Sequence, residues 1–231
     1  MNDSTPTEIG HVLRRPGQYQ FGIVLLLLSI TFVFMATGVT GSWVPLVTVV
    51  LQGATLLAAL RASGVSGKLM LAARIVVAVG LISAATFWIS DASETGWPLL
   101  ALSLLLVAGA PMAIGRSLIQ RRVIDLRTVL GALCIYVLLG MLWAFGFATI
   151  GGLQNGPFFA QETTATLADF LYFSFVTLTT VGYGDLSALS GIGRASAVVE
   201  ALIGQLYLVT VVALLVSNLG RNRVERQQLD R

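Results

Sequence analysis

A chain of 231 residues that is 56% hydrophobic and only 11% charged cannot be a water-soluble domain, because no aqueous fold of this size hides so much apolar side chain. Its net charge of +3 rests almost wholly on arginines confined to a few loops, which speaks for membrane topology and against nucleic-acid binding. One cysteine excludes an intrachain disulfide, one histidine gives no metal site, and no Ser/His/Asp or Cys/His grouping or long soluble segment suggests an enzyme or a cofactor.

Residues 1–18 are polar and carry Arg14 and Arg15 immediately before an apolar run. This imitates a secretory signal, with Ala36 and Gly38 as a weak cleavage site. The run over 19–39 is nevertheless long enough to cross a bilayer, and a retained first helix is expected. A second helix comes next over 43–60 with Pro45 in its first turn, where a missing N–H does no harm. A third covers 69–89 and a fourth 97–115, with Pro111 expected to kink the fourth. From Arg116 to Arg127, arginines alternate with apolar residues at helical spacing, as in a helix lying on the membrane surface. A fifth helix is expected over 128–150, a short apolar one over 167–178 and a last span over 193–219. Cys134 falls in the fifth apolar run and reads as a buried, inert thiol.

The basic residues orient these spans. With the N-terminus inside, Arg14, Arg15, Arg61, Lys68, the Arg116–Arg127 group and the tail arginines are all cytoplasmic. Only Arg194 is left outside, together with Asp91, Glu94, Glu162 and Asp185. An even number of spans, six, with both termini cytoplasmic satisfies the positive-inside rule. The 167–178 helix is too short to cross a hydrocarbon layer of about 30 Å and is therefore expected to be re-entrant.

Directly after that short helix stands the string Thr179-Thr180-Val181-Gly182-Tyr183-Gly184-Asp185. With Tyr172-Phe173-Ser174 and Thr177-Leu178 before it, this string resembles the selectivity filter of tetrameric potassium channels. Residues 128–219 resemble their pore domain, most closely the two-helix modules of bacteria. The resemblance implies an all-α membrane protein of six transmembrane helices, with a re-entrant pore helix and filter between helices 5 and 6 and a homotetrameric pore. With the hydropathy and charge pattern, it divides the chain into a cytoplasmic N-terminus (1–18), a four-helix membrane domain (19–115), an amphipathic cytoplasmic linker (116–127), a pore domain (128–220) and a cytoplasmic tail (221–231).

Potassium would be bound as a permeant ion by Thr180, Val181, Gly182 and Tyr183, with Gly184 completing the filter. Backbone carbonyls aimed at one axis need alternating handedness, which Gly182 and Gly184 tolerate. Val181 and Tyr183 would point away from that axis.

Tyr172, Thr179, Asp185 and Glu200 are the expected filter supports, with Tyr172 donating to Asp185. Val176 stands where some bacterial channels carry an acid behind the filter, and the segment after Asp185 lacks the proline common there. Glu200 is an acid inside a span, and such acids tend to be functional. The alignment places it behind the filter, where a protonated or hydrogen-bonded structural carboxyl is the favoured reading. Gly204 falls at the family's hinge position, and Leu208, Val212 and Val216 recur at one-turn intervals as cavity-lining residues. Ordinary helix packing accounts equally well for those three, and close helix contact is the alternative for Gly204.

The span 97–115 has no charged residue, so steep voltage gating is not expected. A voltage-gated-like channel with a degenerate sensor, a potassium-transporter subunit and a regulatory channel subunit are the alternatives. The bilayer is the principal partner, with anionic lipid contacts open to the cytoplasmic arginines, and the pore likeness points to a prokaryotic plasma membrane.

Overall fold

The computed structural model describes residues 20–89, 97–119, 126–161 and 164–229. They form seven helices: α1 (Gln20–Ala36), α2 (Val44–Ala62), α3 (Gly67–Ile89), α4 (Trp97–Ile119), α5 (Leu126–Leu153), α6 (Leu167–Leu178) and α7 (Gly191–Leu229). Among the described residues the only β pairing is an isolated antiparallel bridge between Phe159 and Ala188. Among the described residues four stretches are long and apolar enough to cross a membrane: Val44–Ala62, Gly67–Thr86, Thr128–Leu153 and Gly191–Val211. Phe21–Ala36, Leu100–Arg116 and Leu167–Leu178 are shorter apolar helical segments.

Local chemistry sets the boundaries. Pro45 sits in the first turn of α2. That helix ends at Ala62 and is capped by Ser63, and Gly64 after it has a φ of +65° that suits the left-handed position of a Schellman turn. The Gly64 N–H donates to Arg61 O and the Val65 N–H to Leu60 O, so α3 begins after a tight reversal. The α4 helix continues through Pro111 to Ile119.

Two boundaries differ from expectation. Residues 116–119 belong to α4 and 126–127 to α5, so the ends of the expected surface helix at 116–127 are parts of longer helices. Its middle, 120–125, lies outside the described residues, as do 1–18, Asp91, Glu94 and Glu162. The last helix does not stop at 219: it runs 39 residues to Leu229, about 58 Å at 1.5 Å per residue. Hydropathy marks where a span leaves the lipid, but a helix of good formers has no reason to end there.

Helix α2 lies at the centre of the first four, packing on α1, α3 and α4. Small residues allow close approach: a Cβ on Gly53 would meet Val77, and one on Gly131 would meet Leu118. Both α1 and α4 pack along α5, α1 also reaches α6, and α7 packs on α5 and α6. The main core runs through α1, α2, α4 and α5 and includes Cys134, which is buried with its thiol toward Phe21 O. A second core of Phe147, Phe158, Phe159, Phe170 and Phe173 gathers beneath the loops around α6.

Candidate functional site

The α6 helix starts where Thr166 and Asp169 form a reciprocal capping box: Asp169 Oδ2 accepts from the Thr166 N–H at 2.7 Å, and Thr166 Oγ1 accepts from the Asp169 N–H. Its 12 residues span about 18 Å, too little to cross a bilayer. One face is clamped by the aromatic core, where Phe158 meets Phe170 and Phe147 meets Phe173 edge-on. On another face, Phe175 lies over Gly140 of α5, where a Cβ would come within 2.5 Å of the ring. Phe32 of α1 meets the same Phe175 ring edge-on at 4.9 Å.

The chain leaves α6 through Thr179, whose hydroxyl donates to Phe175 O at 2.6 Å. It then enters a stretch that is neither helix nor strand. Thr180, Gly182 and Gly184 have φ of +58°, +58° and +81°, while Val181 and Tyr183 between them do not. An L-residue at positive φ costs roughly 1–2 kcal/mol, and a β-branched one is an outlier. At Thr180 the conformation is held by its N–H to Thr177 O at 2.9 Å and by the Val181 N–H to Val176 O at 3.0 Å. Positive φ at Gly182 and Gly184 agrees with their residue type. Thr180 could not have been read that way, since nothing in a threonine announces a left-handed backbone.

Nothing lies within 4 Å of a Cβ built on Gly182 or Gly184, so conformation and not space calls for glycine there. Val181 and Tyr183 are 53% and 71% exposed in the single chain, beside a groove of about 350 Å³ between α1, α6 and this loop.

Three sets of contacts brace the loop from outside. The Tyr172 hydroxyl donates to Asp185 Oδ2 at 2.7 Å, and the two tyrosine rings of Tyr172 and Tyr183 stack. The segment after Asp185 pairs with the one before α6: the Ala160 N–H donates to Ser187 O at 2.9 Å and the Leu189 N–H to Phe158 O at 2.8 Å. Gln161 binds the Ser187 backbone and hydroxyl, and Arg194 Nε donates to Ala188 O at 3.0 Å. The segment after Asp185, which lacks the proline common in the resembling channels, is held by these pairings. Sequence reasoning missed the pairing of 158–161 with 187–189 because it joins loops far apart in the chain, Gln161 and Ser187 being 26 residues apart.

Behind the loop, α7 is tied to α6 at two levels. Glu200 is wholly buried, and Ser174 Oγ stands 2.5 Å from its Oε1 and 2.7 Å from Gly140 O. One turn further along, Gly204 faces the last residue of α6, and a Cβ there would overlap the Leu178 carbonyl. The α7 helix is continuous through Gly204, whose missing side chain is used for this close approach. Tyr207 adds a bond from its hydroxyl to Ala132 O of α5 at 2.6 Å. Leu208 is partly exposed on α7. The side chains of Val212 and Val216 lie outside the described residues. Gly140 and Ser174 are the residues missed as a pair; an isolated glycine inside an apolar span was the available signal.

A short re-entrant-length helix, a left-right-left loop and two long flanking helices now stand together. Residues 131–221 match a family model described as Ion channel. The match takes in most of α5, all of α6, the loop and α7 to Arg221. Over this stretch the likeness is to a channel and not to an enzyme, and the apolar helices around it fit an integral membrane protein. No curated protein and no solved structure matches the chain.

Proposed function

We propose that the chain is a subunit of a potassium-selective channel, a homotetramer conducting passively through a filter made by Thr180, Val181, Gly182, Tyr183 and Gly184. The observation that carries this reading is the alternating backbone of that loop, with left-handed residues at 180, 182 and 184. Such alternation turns successive carbonyls toward one side, the arrangement needed to replace a cation's water shell.

Assembly follows from solvation. Irregular backbone at membrane depth must face protein or water, never lipid. In one chain this loop and its Val181 and Tyr183 side chains stand exposed. Four copies around an axis would turn the carbonyls to a central lumen and bury those side chains against neighbours. The apolar face of α7 that carries Val198, Leu202 and Leu206 is exposed as well. In this reading α1 to α5 and α7 cross the bilayer, α6 is re-entrant, both termini are cytoplasmic, and K+ is cargo with no resident cofactor.

Tyr172, Thr179, Asp185 and Glu200 support the filter. Gly204 brings α7 against the end of the pore helix and is the hinge if the helix bends. Steep voltage gating is not expected in this reading, because the Trp97–Gly115 stretch of α4 is uncharged.

Purified protein in a planar bilayer, with potassium on one side and sodium on the other, tests this. The expected result is a reversal potential near that of potassium, without a partner chain or an energy source. Equal permeation of sodium overturns the selectivity, and no current points to a transporter or a regulatory subunit.

A further inference from the structure

Ser174 has one hydroxyl proton and stands between two oxygens, Gly140 O at 2.7 Å and Glu200 Oε1 at 2.5 Å. The Gly140 carbonyl can only accept. If the Ser174 proton goes there, the contact with Glu200 is a hydrogen bond only when the carboxyl brings a proton of its own.

The other carboxyl oxygen gives an independent reason. Glu200 is 0% exposed, and its Oε2 has no hydrogen-bond partner among the described residues. Nor does any described lysine or arginine form an ion pair with it; Arg194, the basic residue near the start of α7, donates to Ala188 O. An ionised carboxylate left with a bare oxygen inside a membrane protein is costly, whereas a neutral acid leaves only a carbonyl oxygen unpaired, the less costly omission. The surrounding elements supply no compensating charge. From α5 the titratable neighbour is Tyr136, from α6 the contact is the uncharged Ser174, and Asp169 is occupied at the far end of α6 by Thr166.

We propose that Glu200 is a neutral carboxylic acid that donates its proton to Ser174 Oγ, while Ser174 donates to Gly140 O. This chain of two hydrogen bonds joins α7, α6 and α5. It lies two residues from Val176, whose carbonyl accepts from the filter N–H groups of Val181 and Gly182. Glu200 is thus a positioning residue, and its effect on permeation rests on the channel reading above. Being neutral, it adds no net charge beside the ion path.

The test is carbon-13 NMR of δ-carboxyl-labelled glutamate in the full-length protein in lipid nanodiscs, between about pH 5 and 8, where ordinary glutamates are ionised. The chain has five glutamates. One signal is expected to keep the shift of a protonated acid throughout, to vanish in E200Q and to move in S174A. If all five show the carboxylate shift, the proposal is wrong.

E200Q, which keeps an N–H donor toward Ser174, should retain more potassium flux than a variant without a donor. Glu200→Leu, of similar size but without a donor, should lose roughly three- to tenfold in flux, the scale of one lost hydrogen bond. Equal flux from both variants overturns the positioning role. Wild-type protein that passes sodium as readily as potassium sinks the channel reading and leaves the carboxyl signal where it is.

Discussion

The Tyr172 hydroxyl donates to Asp185 Oδ2 across 2.7 Å, joining the middle of α6 to the residue that closes the candidate filter. Tyr172→Phe removes the donor and keeps the ring that stacks on Tyr183. The expected outcome is a filter that leaves its conducting form measurably more readily, because the exposed bond is lost while the ring contact stays. It is read as faster current decay under maintained voltage with unchanged assembly. A variant that decays at the wild-type rate would show the bond to be incidental.

Gly204 offers a choice between two uses that one substitution separates. If it acts only as a hinge, alanine stiffens and stabilises α7 by roughly 0.5–1 kcal/mol while reducing opening. If it acts through its contact with Leu178, alanine overpacks that contact and costs about 1–3 kcal/mol. The contact predicts that Gly204→Ala lowers both thermal stability in detergent and potassium flux. Raised stability with lowered flux would assign the position to bending.

Gly182 has φ of +58° with open space around it, so Gly182→Ala should be an almost purely conformational perturbation. Holding an L-residue there costs about 1–2 kcal/mol. The loop is expected to relax toward negative φ, turning a carbonyl away from its neighbours. Potassium-over-sodium permeability should fall about tenfold or more, measured from the reversal potential. A Gly182→Ala channel with wild-type selectivity would contradict the carbonyl reading.

Phe32 belongs to the first helix, yet its ring meets Phe175 of α6 edge-on at 4.9 Å. An aromatic pair of this kind adds about 0.5–1.5 kcal/mol beyond its buried area. Phe32→Ala should therefore weaken the packing behind the filter and speed current decay by severalfold. Phe32→Leu, which keeps most of the apolar volume, should lie between it and wild type. Normal decay in Phe32→Ala would leave the four preceding helices without a mechanical route to the filter through this ring.

Composition and order in the chain carried much of this protein. Apolar runs of bilayer length, interrupted by arginines, are legible because hydropathy and charge are summed over each segment and need no partner. The seven-residue string after α6 is legible for a related reason: its glycines meet a backbone requirement that is local. Positions 182 and 184 have the positive φ their residue type suggested. What the residues could not disclose is set by meetings between distant segments. Thr180 takes a left-handed turn because Thr177 and Val176 hold the chain around it. Gly140 serves α6 because Phe175 lies over it. Residues 158–161 clasp 187–189 because the second aromatic core brings the two loops together. Glu200 could be placed in a span from its number alone. That it lies wholly buried beside Ser174 depends on how α5, α6 and α7 converge, since burial is a property of packing and not of any one stretch of sequence.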